Sequence, residues 1–192
     1  MYVDLKKFKV TITGILMAML FSSCSSFYEN QMAFNNQSHP VFDIENFDSC
    51  SFSDKSDLFK YDLTASIDKK ENKNLITYKL TITPNTDQII NDVTVTASLD
   101  ESWSNWLLDK NRNTLFFGTD KKNPIWMDRN SDSYRGLISE IGKYLEEEVS
   151  SEQMKNLLVL PIKIRIKYQD TIITETLKPN KILLYGNEEQ SV

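Results

Sequence analysis

The fold class of this chain is decided by two neighbouring stretches, Phe59–Ile67 (FKYDLTASI) and Ile76–Ile82 (ITYKLTI). In both, apolar side chains alternate with polar ones, which is the period of a β-strand that buries one side and exposes the other. A third stretch, Val93–Leu99, repeats the pattern. Three such strands in succession predict antiparallel pairing, with one face of the sheet on the core and the other in water.

The rest of the chain extends this β-rich pattern and adds one helix. We predict further strands at Leu115–Phe117, Ile125–Met127, Ile162–Tyr168, Thr171–Leu177 and Lys181–Tyr185. Between them, Tyr134–Val149 carries apolar residues at helical spacing and predicts an amphipathic helix. The sequence therefore predicts a mainly β fold, an antiparallel β-sandwich with one inserted amphipathic helix.

One part of this pattern also resembles a known class of domain. The stretch that begins at Tyr78 (YKLTITPNT) and continues to Val93–Ala97 (VTVTA) is similar to bacterial immunoglobulin-like β-sandwich modules. In those modules a strand that ends in Thr or Asn leads through a short loop to a Val-x-Val strand. The resemblance covers about 30 residues and implies that the sandwich is of the immunoglobulin-like type.

Residues 1–23 have the composition of an export signal. Three lysines near the start precede an apolar run, Val10–Phe21, and two serines then lead to Cys24. The apolar run is about a dozen residues long, whereas a helix that spans a bilayer needs about twenty. We therefore predict an export signal rather than a transmembrane anchor.

The residues Leu20–Cys24 (LFSSC) resemble the lipobox of bacterial lipoproteins, although Phe21 stands where that family usually has Leu. The resemblance implies that Cys24 is diacylated and becomes the mature N-terminus. The protein would then be extracytoplasmic and anchored to the bacterial cell membrane by lipid, in the outer membrane if the source has one. Two alternatives stay open, an ordinary secretory signal cleaved near Ser23 and a short membrane-buried helix.

The sequence divides into a signal (residues 1–23), a polar tether (24–57) and a β-rich domain (58–192). The tether is rich in Ser, Asn, Gln and Asp, and its scattered aromatic residues have no regular period. An alternative is that some of these aromatic residues dock on the domain. Cys50 lies in the tether and is a free thiol if Cys24 is acylated; the alternative is a Cys24–Cys50 disulfide without lipid.

Composition limits the classes of function. The chain of 192 residues has 22 Lys+Arg against 27 Asp+Glu, so no basic surplus is available to neutralise a nucleic acid. The single His, His39, lies in the predicted tether, which argues against a catalytic triad and a histidine-based zinc site. Only five Gly are present, and none forms a phosphate-binding loop. We predict no enzyme and no cofactor; the alternative is a small carboxylate-based hydrolase that acts on envelope glycans.

Aromatic side chains are the first candidates for partner binding. Trp103, Trp106 and Trp126, together with Tyr134, are candidates for a platform that binds a sugar or a peptide, and Trp103 and Trp106 flank the polar residues Ser104 and Asn105. The competing interpretation is that these rings belong to the core, as aromatic residues of β proteins usually do.

A basic stripe, defined as Lys163, Arg165 and Lys167, runs along one face of a predicted strand. It is a candidate surface for an anionic polymer or for an acidic patch of a partner. The competing interpretation, which we favour, is a solvated outer face whose charges discourage edge-to-edge pairing of sheets.

A weak calcium candidate precedes the predicted helix. Asp128, Asn130 and Asp132 place oxygen-bearing side chains at alternate positions, as an EF-hand loop does. That loop would need Gly at position 133 and Glu at position 139, where the chain has Ser133 and Ser139. We therefore favour a solvated loop over a metal site.

Taken together, these patterns predict a lipid-anchored, extracytoplasmic binding or structural module of the bacterial cell envelope. Its expected partner is another envelope protein or a wall polymer, not a nucleic acid. A non-lipidated secreted protein is the remaining alternative.

Overall fold

The computed structural model describes residues 40–52, 57–70, 72–146 and 149–184, and the backbone of 188–191. The predicted signal 1–23, Cys24 and His39 lie outside the described residues. The strands are β1 (Phe59–Lys70), β2 (Lys73–Pro84), β3 (Ile90–Ser98), β4 (Phe116–Gly118), β5 (Ile125–Met127), β6 (Leu137–Tyr144), β7 (Ile162–Tyr168), β8 (Thr171–Leu177), β9 (Lys181–Leu184) and β10 (Glu188–Ser191). Among the described residues, the helices are α1 (Ser151–Leu158) and two 3-10 helices, Glu101–Asn105 and Arg112–Leu115. The described fold is mainly β and consists of two sheets.

The first sheet has the strand order β10-β9-β1-β2-β6. β1 and β2 form a long antiparallel hairpin that runs from Phe59 opposite Pro84 to Lys70 opposite Lys73. Asn72 in its tight turn has a positive φ of 62°, a conformation that Asn tolerates better than most residues. The expected antiparallel pairing is confirmed for this hairpin. β2 also pairs antiparallel with β6, whereas β1 and β9 are parallel.

The second sheet has the strand order β4-β3-β7-β8, and β5 also pairs with β3. All of these pairings are antiparallel. The expectation that three successive strands share one sheet is wrong for β3, because the chain passes into the second sheet after Pro84. Between Ile90 and Val93 the register with β5 shifts, and Asp92 has a φ of 56° at that irregularity.

The predicted inward faces of the first three strands are confirmed by their burial. Ile76, Tyr78, Leu80 and Ile82 of β2 are each 0% exposed, and the alternate residues of β1 and β3 are also buried, except for the half-buried Tyr61. The expectation that the other face lies in water is wrong for the second half of β3, where Thr96 and Ser98 are buried as well. One continuous cluster of buried side chains includes residues of both sheets. Each fully buried aliphatic side chain contributes about 1.5–3 kcal/mol, so this cluster is the main source of stability.

The predicted helix at Tyr134–Val149 is wrong, because Leu137–Tyr144 forms strand β6. The buried residues Leu137, Ile141 and Leu145 are four apart, which fits one face of a helix and, equally, every second inward position of a strand. Pairing with β2 selects the strand.

The helix of the described residues lies further along the chain, at Ser151–Leu158. Its start has a capping box: the Ser150 hydroxyl accepts from the backbone of Gln153, and the Gln153 side chain accepts from the backbone of Ser150. Met154, Leu157 and Leu158 are buried, so this helix, which lies outside the predicted one, is amphipathic. The capping signal S-x-x-Q was present in the sequence and identifies this start.

Gly118 provides a test of the close approach between β4 and β3. Its φ is 137°, and a Cβ added there would lie 2.0 Å from the carbonyl oxygen of Val95. We expect Gly118→Ala to lower the free energy of unfolding by about 3 kcal/mol, because backbone must move and the φ is strained. Denaturant unfolding measures the change.

Gly142 is the matched control for this experiment. A Cβ there would meet Leu75 Cδ1 at 3.6 Å, which is an ordinary contact. Gly142→Ala should therefore be nearly neutral. Equal destabilisation by the two substitutions would show that the close approach at Gly118 is not the cause.

Candidate functional site

The three tryptophans lie in different surroundings. Trp103 is only 1% exposed, and its ring packs edge-on against Tyr78 with centroids 6.1 Å apart. Trp106 is partly buried against the same core. Trp126 is 38% exposed. Trp103 is therefore a core residue, and the structure does not gather the proposed platform as a whole.

The structure does bring Trp126 together with Tyr134, and we call these two side chains the aromatic pair. Their rings stack with centroids 3.8 Å apart and an interplanar angle of 24°. Ile125 and Met127 on either side of Trp126 pack toward the core. Because side chains alternate along a strand, Trp126 points to the opposite side, away from the core.

The loop between the two rings is fixed by its own hydrogen bonds. The backbone N–H of Asp128 donates to the carbonyl of Tyr134 at 2.8 Å, which closes the loop. The hydroxyl of Ser131 accepts from the N–H groups of Ser133 and Tyr134, at 3.3 and 3.2 Å. These bonds hold Tyr134 in place beside Trp126, so the aromatic pair is preorganised.

The oxygen-bearing side chains of the calcium candidate have local partners. Asp128 Oδ1 accepts from the N–H of Asn130 at 2.9 Å, and Asp132 Oδ1 lies 3.3 Å from Arg135 Nη2. In the part of the chain that the structure describes, no group of three or more His, Cys, Asp and Glu side chains is placed to hold a metal ion.

The basic stripe lies on the outer face of β7, opposite the buried Ile162, Ile164 and Ile166. It is not an open cationic surface. Arg165 is only 3% exposed, and Lys167 Nζ donates to the Asp43 carboxylate. The cover is supplied by residues 40–52, which we call the strap.

Asp43 is the electrostatic centre of this contact. Its carboxylate lies 3.3 Å from Arg165 Nη2 and 4.0 Å from Lys121 Nζ, and it accepts from Lys167. Arg165 also donates to the backbone carbonyls of Asp43 and, at 2.8 Å, of Glu45. The buried guanidinium is thus compensated both by a carboxylate and by peptide dipoles.

The aromatic residues of the strap also pack against the basic stripe. Phe47 is 1% exposed and packs edge-on against Phe116, with centroids 5.3 Å apart. The Arg165 guanidinium carbon lies 5.3 Å from the Phe47 ring centroid, and Lys163 Nζ lies 5.5 Å from that of Phe52. Each member of the basic stripe therefore contacts the strap, and the alternative that tether aromatics dock holds for Phe47.

The charges around Asp43 determine its titration. Burial alone would raise the pKa of Asp43, but the hydrogen bond from Lys167 and the charges of Arg165, Lys167 and Lys121 outweigh burial. The pKa of Asp43 therefore lies below its usual value, and the carboxylate is ionised at neutral pH.

A surface cleft of about 300 Å³ lies beside the strap. Asp48 of the strap forms one wall, and the start of β7 and the first 3-10 helix form others. Arg112 at the cleft is paired with Asp48 and lies 3.5 Å from Glu101. The cleft is lined by acidic, basic and apolar side chains. Three of its charged groups, Asp48, Glu101 and Arg112, are paired with one another.

Of the two strap residues that matter most, sequence reasoning missed Asp43 and gave the docking of Phe47 only as an alternative. Both lie in a polar stretch without period, and their partner Arg165 is more than a hundred residues away in the chain. No local spacing connects them. The signal that was available was the isolated run of acidic and aromatic residues in the tether of an otherwise β-rich chain.

The ion pairs of Asp43 predict the effect of its removal. Asp43→Asn should lower the free energy of unfolding by about 3 kcal/mol at neutral pH, because it leaves a buried guanidinium without its counter-charge. Since the pKa of Asp43 is lower in the folded chain than in the unfolded one, its contribution is present at neutral pH and is lost as the pH falls below its usual value of 3.8.

Urea unfolding of the wild type and two variants between pH 3 and 7 measures this contribution. Glu45→Gln is the control, because the Glu45 carbonyl and not its exposed carboxylate contacts Arg165. The Asp43→Asn variant should lose less stability on acidification than the wild type. Identical pH dependence in wild type and Asp43→Asn would contradict the assigned role.

Among the helices that the structure describes, none is both long and apolar enough to cross a membrane. Comparisons of the chain with protein-family models, with curated proteins and with solved structures found no match.

Proposed function

We propose that this chain is a lipid-anchored, extracytoplasmic binding module of the bacterial cell envelope, and that the aromatic pair is its binding surface for a wall polymer. One observation carries the binding part of the proposal: Trp126 is 38% exposed and stacked on Tyr134 in a loop that its own hydrogen bonds fix. A large rigid ring held at the surface binds at little entropic cost, because it has no freedom left to lose.

A wall polymer fits this surface because sugar rings present flat faces of C–H groups that stack on an aromatic face. Polar groups are available close by for sugar hydroxyls, since the loop that joins the two rings is rich in Asp, Asn and Ser. Another envelope protein is the alternative partner, because Trp and Tyr are also enriched in protein interfaces.

The anchoring part of the proposal is supported by the resemblance of Leu20–Cys24 to a lipobox. If Cys24 carries the lipid, the chain from Cys24 to Pro40 spans at most about 55 Å when it is fully extended. The strap then limits how far the domain reaches from the membrane, because its contacts begin at Val41, whose carbonyl accepts from Lys121 N–H.

For the fold, we propose that the two sheets pack face to face as a sandwich. Support comes from the continuous buried cluster and from contacts between strands of different sheets. Tyr61 of β1 donates to Glu175 of β8 at 2.7 Å, and the rings of Phe59 and Tyr168 meet with centroids 6.2 Å apart. Burial and the neighbouring Glu175 raise the pKa of Tyr61, so the Tyr61 hydroxyl stays protonated and can donate to Glu175. The immunoglobulin-like variety of the sandwich rests on the resemblance of the Thr- and Val-rich stretch alone.

Trp126→Ala tests the binding surface. We expect cosedimentation with purified, insoluble cell-wall polymer to weaken roughly thirtyfold, since a central aromatic residue of an interface contributes about 2 kcal/mol or more. Ile172→Ala, which removes an apolar side chain that is 58% exposed on β8, serves as the control and should bind like the wild type. Equal binding of Trp126→Ala and the wild type would exclude the aromatic pair as the wall-binding surface.

Cys24→Ala tests the anchor independently of the ligand. In cells fed a clickable fatty acid, the wild-type chain should incorporate the label and fractionate with membranes, whereas Cys24→Ala should lose both properties. Recovery of unlabelled wild-type protein from the medium would favour the secreted, non-lipidated alternative. Cys50→Ala is the control, because it removes a thiol outside the lipobox-like segment.

A further inference from the structure

We infer that the outer face of the second sheet is a docking groove for an acidic, aromatic peptide segment, and that the strap is its resident occupant. A segment of the same chemistry on a partner protein replaces the strap. The groove is separate from the aromatic pair, so it provides a second interaction surface.

The strap is held as a bound peptide is held, not as a strand of the sheet. All of residues 40–52 are described, and none of them belongs to a strand or a helix. The turns of this segment include one in which Ile44 N–H donates to the Phe42 carbonyl and one in which Phe47 N–H donates to the Ile44 carbonyl. The strap contacts the sheet through its side chains and a few of its backbone carbonyls. One of these is the Ser51 carbonyl, which accepts from the Thr174 hydroxyl at 2.6 Å. Release of the strap therefore breaks no strand pairing among the described residues.

The groove selects a carboxylate. Three cations converge on the Asp43 side chain: Arg165 and Lys167 from β7, and Lys121 from the loop between β4 and β5. Arg165 is nearly fully buried beneath the strap, and its Nε has no hydrogen-bond partner among the described residues. The site thus offers more positive charge and donors than Asp43 alone uses.

The groove also selects an aromatic ring four residues after the acid. The Phe47 ring fills the space between the Arg165 guanidinium and the Phe116 ring, each with its centre 5.3 Å away. A carboxylate and an aromatic ring at this spacing, with a turn between them, define the partner segment. Other strap side chains contribute less, since Val41 and Ile44 remain 45% and 39% exposed.

Because the strap is covalently attached to the domain, its effective concentration at the groove is high. A tethered segment acts as if it were present at about millimolar concentration, so a free peptide competes poorly while the strap is intact. Weakening the strap without changing the groove removes that advantage. Asp43→Asn does this, because all the groove's cations remain.

A peptide supplied in trans tests the groove. The probe is a fluorescent synthetic peptide of residues 40–52 with Cys50 replaced by Ser, titrated by anisotropy into the full-length chain. We expect the Asp43→Asn chain to bind it at least about tenfold more tightly than the wild type or the Glu45→Gln control. The same peptide with its own Asp43→Asn change should lose binding to every chain, which shows that the carboxylate is recognised.

Three results would overturn the inference. One is a folded Asp43→Asn chain that binds the peptide no better than the wild type does. Another is equal binding of the peptide and a scrambled version. The third is concentration-dependent dimers of the wild-type chain alone, which would assign the groove to the strap of a second copy instead of a partner protein.

Hydrogen exchange of the wild-type chain decides the matter if Asp43→Asn does not fold. An exchangeable strap requires that the amides of Phe47 and Cys50 exchange through a local opening, with protection at least about tenfold below that of the β7 amides. If both sets of amides exchange only with global unfolding, the strap is a fixed part of the domain and the groove is not a docking surface.

Discussion

The buried guanidinium of Arg165 is the constraint around which the outer side of the second sheet is organised. A charge on a strand cannot be covered unless something supplies a counter-charge and acceptors for its N–H groups. Here the strap supplies both, through the Asp43 carboxylate and the carbonyls of Asp43 and Glu45. Phe47 is buried against this face beside the paired Arg165 guanidinium, and Lys167 and Lys121 add to the attraction for Asp43.

This arrangement changes the significance of the two groups of candidate residues. From the sequence, Lys163, Arg165 and Lys167 are a candidate cationic surface, but in the fold all three side chains contact the strap of the same chain. The aromatic pair differs, because Trp126 and Tyr134 satisfy each other by stacking and still leave the Trp126 ring 38% exposed. Of these two groups, the aromatic pair is the one that keeps a large ring accessible, and for this reason we propose it as the primary binding surface.

Much of the fold could be predicted because burial on one side of a strand leaves a period of two in the sequence. The strands β1, β2, β3, β5, β7 and β8 show that period or a short apolar run, and the structure has them at the predicted places. The prediction failed where one pattern fits two structures. Leu137, Ile141 and Leu145 satisfy a helical and a strand spacing together, and only pairing with β2 distinguishes them. Strand β9 also lies within the predicted Lys181–Tyr185, but its parallel pairing with β1 could not be predicted, because pairing order leaves no local signal.

The site was less predictable than the fold, and the reason is again physical. Trp103 stands between two serines and is buried against Tyr78, whereas Trp126 stands between Ile125 and Met127 and lies at the surface. For Trp126 the alternation with Ile125 and Met127 contained the answer, since both neighbours point inward. For Trp103, in a 3-10 helix, no such alternation exists. The Asp43–Arg165 pair joins distant parts of the chain, and no spacing rule reaches that far.

If the strap can dock and be released as we propose, the boundary between tether and domain depends on the free energy of strap docking and is not a fixed residue. By composition residues 40–52 belong to the tether, and by their contacts they belong to the domain. If the groove takes a partner segment, the freed strap lengthens the chain between Cys24 and β1 by about a dozen residues. If Cys24 carries the proposed lipid anchor, linkage requires the reverse effect as well: tension on the tether that favours strap release would favour the partner in the groove by the same factor. On that proposal, reach from the membrane and occupancy of the groove are coupled through one segment, and the Asp43 contact sets the strength of that coupling.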